Sequence, residues 1–117
     1  MSEFVIQTIY RLMTAIMCVK MFHWNTTCYA SHQSSGTLAN DLFEKMDSLV
    51  EQMLACVDVN VLSNVAFDVK IAAKNMASSL ENLKVVLKSL DNSPFADKTD
   101  ILNTRDDIVS SIRQFDY

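Results

Sequence analysis

The chain has one glycine, Gly36, and one proline, Pro94, in 117 residues. β-Sandwiches and barrels turn every ten residues or so and draw on glycine and proline to do it, so this chain lacks the material for them. Collagen and disorder are excluded as well, because 50% of the residues are apolar and 21% charged, a globular balance. The expectation is an all-α fold. At 13.2 kDa it forms a single domain over residues 1–117, since a second core would need roughly 50 residues or more of its own.

Fourteen acids against ten bases give a formal charge of −4, which disfavours general attraction to phosphate backbones and anionic lipid. Nucleic acid and membrane are therefore not expected as partners. Cys18, Cys28 and Cys56 are an odd set without Cys-x-x-Cys spacing, which suits reduced thiols, mostly small buried hydrophobes, in a cytoplasmic setting. The apolar run from Phe4 to Phe22 is interrupted by Gln7, Arg11 and Lys20, and no basic region precedes it. It reads as neither signal peptide nor membrane span.

Four helical patterns follow one another. In the first, from Glu3 to Asn25, Leu12, Ile16, Val19 and His23 fall within about 60° at 100° per residue, opposite a polar stripe of Gln7, Arg11, Thr14, Cys18 and Asn25. Thr26 and Thr27 weaken it, and Ser31 can cap a second helix starting near His32 and running to about Cys56. Its apolar arc includes Leu38, Leu42, Phe43, Met46, Leu49 and Met53, with Asp41, Lys45, Ser48 and Gln52 opposite. Gly36 inside this helix costs about 1 kcal/mol relative to alanine, which suggests a close approach by another group. Val57 to Asn64 is rich in β-branched residues and reads as an extended connection. A third helix carries Val69, Ala73, Met76, Leu80, Leu83, Leu87 and Leu90 and ends before Asp91 to Pro94. The fourth opens near Asp97 to Asp100 and runs through Ile101, Ile108, Ile112 and Phe115. Four amphipathic helices predict a four-helix bundle.

Candidate chemistry centres on the only two histidines, His23 and His32, which flank the first junction, and on the carboxylates Asp47 and Glu51 of helix two. A carboxylate pair at i and i+4 can grip one cation. Yet His32 and Asp47 lie about 22 Å apart along one helix at 1.5 Å per residue, while the ligands of one ion lie within a few ångströms. A second copy packed antiparallel along helix two would bring His32 of one chain towards Asp47 and Glu51 of the other, twice by symmetry. Imidazoles with carboxylates suit iron, manganese or zinc, and open coordination positions favour iron with an oxidant.

Phe22-His-Trp-Asn-Thr26, then His32 and Asp47-x-x-x-Glu51, resemble the Dps-type mini-ferritins of the ferritin-like superfamily. Their first helix carries His-Trp-Asn, and their second a histidine followed 15 and 19 positions later by aspartate and glutamate, the spacing of His32, Asp47 and Glu51. The closing segment, Lys98 to Ile108, is similar to that of short ferritin-like proteins of phages and large DNA viruses. The resemblance implies a ferritin-like four-helix bundle in which the second connection runs the length of the bundle. It implies ferroxidase sites between two-fold-related subunits, with His23, His32, Asp47 and Glu51 as metal ligands, Fe(II) as the ion oxidised by peroxide or dioxygen, and a homo-oligomer of up to twelve subunits, in a host cytoplasm if the chain is virus-encoded. This sequence departs from the family at Gly36, where an aspartate is usual, in the short spacing between its histidines, and in lacking a lysine-rich DNA-binding tail.

Residues 57 to 65 reach at most roughly 30 Å when extended, which makes the lengthwise connection just feasible and leaves a plain up-down-up-down bundle as the alternative. Met13, Met17 and Met21 recur every four residues and read as core filler. Trp24 and Tyr29 read as dimer-interface aromatics, and Lys70, Lys74, Lys84 and Lys88 as a solvated face of helix three. Two further function classes stand beside the iron reading: a ferritin-like structural oligomer without catalysis, and a monomeric adaptor with an exposed apolar groove.

Overall fold

A computed structural model describes residues 1–57 and 60–116. Its four α-helices are α1 (Ser2–Asn25), α2 (Tyr29–Leu54), α3 (Met76–Ser89) and α4 (Thr99–Asp116). One-turn 3-10 helices, Ala73–Asn75 and Leu90–Asn92, lead into and out of α3. No strand is present among the described residues. The all-α expectation holds, and one cluster joins all four helices: Val5, Leu12 and Val19 of α1, Leu42 and Leu49 of α2, Leu83 and Leu87 of α3, and Ile101, Ile108 and Ile112 of α4.

Helix neighbours give the topology. α1 packs on α2 and α3, and α2 packs on α4, whereas α3 touches α4 more lightly. His23 meets His32 where α1 ends and α2 begins, and Lys45 of α2 bonds Ser111 of α4 at 2.6 Å. Glu3 and Phe4 lie beside Val86 and Ser89, while Thr14 lies beside Asn75 and Ser79, so α1 and α3 run antiparallel. Thr37 and Leu38 lie beside Gln114 and Phe115, so α2 and α4 do too. It follows that α2 and α3 point the same way, and the chain between them must travel back along the molecule. The up-down-up-down alternative, which sets successive helices antiparallel, does not describe this chain.

That return is longer than the sequence suggested. Val57 to Asn64 was expected to be extended; Asp58 and Val59 lie outside the described residues, and the rest turns tightly. Asn60 takes φ 68°, a left-handed conformation that asparagine tolerates, and Ser63 and Val65 donate N–H bonds to the carbonyls of Asn60 and Leu62. Residues 65–72 form no regular secondary structure and reach extended angles at Ala72 (φ −154°, ψ 149°), in place of the expected start of helix three at Val69. Tertiary contacts override the helical pattern there: Phe67 packs edge-on against Tyr10 at 5.5 Å between ring centroids, and Cys18 donates its thiol to the Lys70 carbonyl at 3.8 Å. Lys70 and Lys74 therefore lie ahead of α3, and only Lys84 and Lys88 are carried by it.

Two solvent faces also differ from the expectation. Thr14 and Cys18 are buried, because the crossover and α3 cover that side of α1. The exposed side of α1 is the methionine stripe, with Met13, Met17 and Met21 at 44, 38 and 38% exposure, so these residues are not core filler. On α2, Lys45 turns to α4 while Phe43 is 62% exposed. α1 is the one described helix long and apolar enough to cross a membrane by length and composition, and half of that stretch is buried in this fold.

Candidate metal centre

Thr26 ends α1 by taking extended backbone angles (φ −72°, ψ 141°). Its hydroxyl accepts the N–H of Cys28 at 3.2 Å, which turns the chain within three residues and starts α2 at Tyr29, earlier than His32. This tight reversal lays the last turn of α1 against the first turns of α2 and brings both histidines together.

The rings stack, with centroids 3.9 Å apart and planes 19° from parallel. Each Nδ1 bonds the other residue's backbone carbonyl, His23 to His32 at 2.6 Å and His32 to His23 at 2.9 Å. A carbonyl only accepts, so both Nδ1 atoms are donors, and each neutral ring keeps its lone pair on Nε2. Ser35, fully buried, donates to the Ser31 carbonyl at 2.6 Å and lies 3.3 Å from His23 Nδ1, placed to accept a share of the same N–H. This is the arrangement by which backbone carbonyls orient metal-binding histidines through the nitrogen that does not touch the ion.

Gly36 provides the space. A Cβ at this position would stand 2.9 Å from Cε1 and 3.3 Å from Nδ1 of His23. The close approach suspected from the sequence is thus the imidazole itself, seated on the bare backbone of α2. Its partner Ser35 had no distinguishing sequence signal beyond lying next to that glycine.

Asp47 and Glu51 lie further down α2, both exposed, and neither takes part in an ion pair among the described residues. Phe43, one turn before Asp47 and placed by the sequence on the apolar arc, faces solvent as well. At 100° per residue, His32, Phe43 and Asp47 fall within about 60° of one another, with Glu51 about 40° beyond Asp47. Within one chain the histidines and acids remain apart, and no cluster of three or more metal-binding side chains occurs among the described residues.

Two further polar features differ from the sequence reading, which took the cysteines as mostly buried and did not single out Arg105. Cys28, at the start of α2, is exposed, and hydrogen bonds from the Ser31 hydroxyl and the Ser31 and Ala30 amides hold its thiol below the ordinary value. Arg105 is 92% buried between α3 and α4, bonding the Leu87 carbonyl at 2.9 Å, Asp91 at 2.8 Å and Asp106 at 2.7 Å. Burial alone would lower its pKa; the two carboxylates outweigh that and raise it.

A family model described as a family of unknown function, DUF5856, matches residues 23–117, beginning on the first histidine. No curated protein and no solved structure matches the chain.

Proposed function

The chain belongs to the DUF5856 family, and we propose that it is an iron-binding, mini-ferritin-like protein whose metal sites are completed by a second copy. One observation carries the reading: His23 at the end of α1 and His32 at the start of α2 are both pinned through Nδ1, leaving Nε2 as the coordinating nitrogen, and the exposed face of α2 also holds two carboxylates without an ion pair among the described residues. The antiparallel packing of α1 with α2 and α3, and the lengthwise crossover between α2 and α3, support a ferritin-like four-helix bundle.

An antiparallel pair of α2 helices in the register that sets His32 against Asp47 also sets Phe43 against Gly36, since both pairs of numbers sum alike. The exposed Phe43 ring then meets Gly36 together with the His23 imidazole seated on it. In such a dimer His23 and His32 of one chain and Asp47 and Glu51 of the other hold Fe(II) as substrate. The carboxylates balance the charge gained on oxidation by peroxide or dioxygen, and the oriented imidazoles fix the ion. Manganese and zinc fit the same donors. A closed shell of such dimers would retain the ferric product.

The test is anaerobic Fe(II) addition followed by peroxide, read by stopped-flow absorbance, with the solution mass measured alongside. A ferric signal that is saturable per dimer, and lost in Asp47→Ala and His32→Ala, supports the reading. A monomer, or a signal unchanged by both substitutions, overturns it. The second reading, a structural oligomer without catalysis, is favoured by Gly36, where the resembling family has an acid; it predicts a stable oligomer with no ferric signal.

A further inference from the structure

Between α1, the crossover that leads into α3 and the first turns of α3 lies a cavity of about 320 Å³. It is remote from the histidine pair and independent of the iron reading. Its walls carry Arg11, Thr14, Asp68, Lys70, Asn75 and Asn82. Thr14 is more than nine-tenths buried, and its hydroxyl has no hydrogen-bond partner; Arg11 Nε is likewise buried and without a partner. Buried polar atoms of this kind carry a desolvation cost unless something fills the space and bonds them.

The charges specify what that something is. Neither Arg11 nor Lys70 has a carboxylate within ion-pair distance among the described residues, and Asp68 leaves the cavity with a net charge of +1. The guanidinium is held over the Tyr10 ring at 5.1 Å from its centroid, a placement that restricts its freedom before any ligand arrives. No acidic residue occupies the first turn of α3, so the positive end of that helix dipole is not neutralised locally. Two cations, a helix start and an orphan hydroxyl converge on a compact anion of several oxygens. The cavity is also larger than a bare phosphate requires, and its remaining groups, Asp68, Asn75 and Asn82, suit hydroxyls.

We infer that this cavity is a binding site for a small phosphate monoester with a polyhydroxylic body, the phosphate on Arg11, Lys70 and Thr14 and the hydroxyls towards Asp68, Asn75 and Asn82. The probes are ribose 5-phosphate and inorganic phosphate, titrated into the full chain while amide shifts are followed by two-dimensional NMR. Ribose 5-phosphate is expected to saturate shifts at Thr14 and residues 75 to 82, at lower concentration than inorganic phosphate. Arg11→Met and Lys70→Met each weaken it about tenfold or more, as loss of a charge-assisted contact should, and Thr14→Val weakens it about threefold. Lys70→Met keeps the backbone carbonyl that Cys18 uses, so it tests the site even if Arg11→Met fails to fold. Lys88→Met, on the far side of α3, leaves binding unchanged. No saturable shift by about 20 mM, which would place any affinity beyond the weak millimolar range, overturns the inference. So does equal binding by Lys70→Met, or ribose 5-phosphate binding no tighter than inorganic phosphate.

Discussion

Gly36→Ala is the perturbation whose sign depends most on the geometry of the histidine pair. In the interior of a helix this change ordinarily stabilises by about 1 kcal/mol, and Gly36 has helical neighbours on both sides. Here the new methyl carbon would stand 2.9 Å from His23 Cε1, closer than packed carbons lie. Because the obstruction is the outer edge of a side chain, the ring gives way. The cost is then what the ring loses on moving: its 2.6 Å bond to the His32 carbonyl, its share in Ser35 and its stacking on His32. At about 0.5–1.5 kcal/mol for each hydrogen bond, two lost bonds cost about 1–3 kcal/mol, which cancels or exceeds the propensity gain. The expected net effect of Gly36→Ala is a loss of up to about 2 kcal/mol.

The same substitution in a His23→Ala background meets no ring and regains the full helical benefit of about 1 kcal/mol. The sign is therefore expected to reverse between the two backgrounds, with a coupling of about 1–3 kcal/mol. Urea unfolding of the wild type, both single variants and the double variant, at one protein concentration so that any association is held fixed, measures it. In a chain of this length 1 kcal/mol moves the melting temperature by roughly 3–5 °C, so thermal melts check the same cycle. A stabilisation by Gly36→Ala of equal size in both backgrounds would refute the seating of His23 on α2.

Arg105→Met leaves the Leu87 carbonyl and Asp91 without their donor and is expected to cost about 2–4 kcal/mol in urea unfolding; a cost under about 0.5 kcal/mol, the scale of ordinary surface substitutions, would show that the buried network is dispensable. Cys28 is expected to react with iodoacetamide with a pH midpoint below that of an unperturbed thiol, since its lowered pKa means more thiolate at a given pH. Ser31→Ala removes the leading cause and moves the midpoint up; a profile unchanged by that substitution would mean that the hydroxyl is not what stabilises the thiolate.

How far each feature was legible in the sequence follows from whether one chain segment or two determined it. Leu12, Ile16 and Val19 are buried as their spacing predicts, because the deepest face of a helix is set by its own period. The flanks are set by neighbours. Thr14 and Cys18 read as solvent-facing from polarity, yet the crossover and α3 cover them, and Met13, Met17 and Met21 read as core although they stand on the exposed side of α1. Val69 and Ala73 continue the helical pattern of α3, but Phe67 on Tyr10 and Lys70 on Cys18 hold residues 65–72 against α1 outside any helix, and Ala73 enters only a 3-10 turn. Arg105 gave no periodic signal at all, since its partners Leu87 and Asp91 come from the preceding helix and its exit turn.

At the histidine junction, spacing alone could mark His23 and His32 as interesting but could not orient them. Their reciprocal carbonyl bonds depend on Thr26 ending α1 abruptly, on Ser35 being buried and on Gly36 being bare. The last of these bears on the comparison with mini-ferritins. An aspartate at position 36 would carry a Cβ into the place now held by the His23 ring, so within this backbone a carboxylate there and a stacked imidazole pair exclude each other. If the proposed site binds iron, it therefore does so one acid short of the mini-ferritin set, with the imidazole pair stacked where that acid would sit. Gly36→Asp is then expected to unseat His23 in the manner of Gly36→Ala, and any gain in metal affinity from the added charge would come with the loss of the ring stack. A Gly36→Asp variant whose His23 and His32 ring resonances still report the stacked pair would show that a carboxylate at position 36 and the stacked imidazoles are compatible.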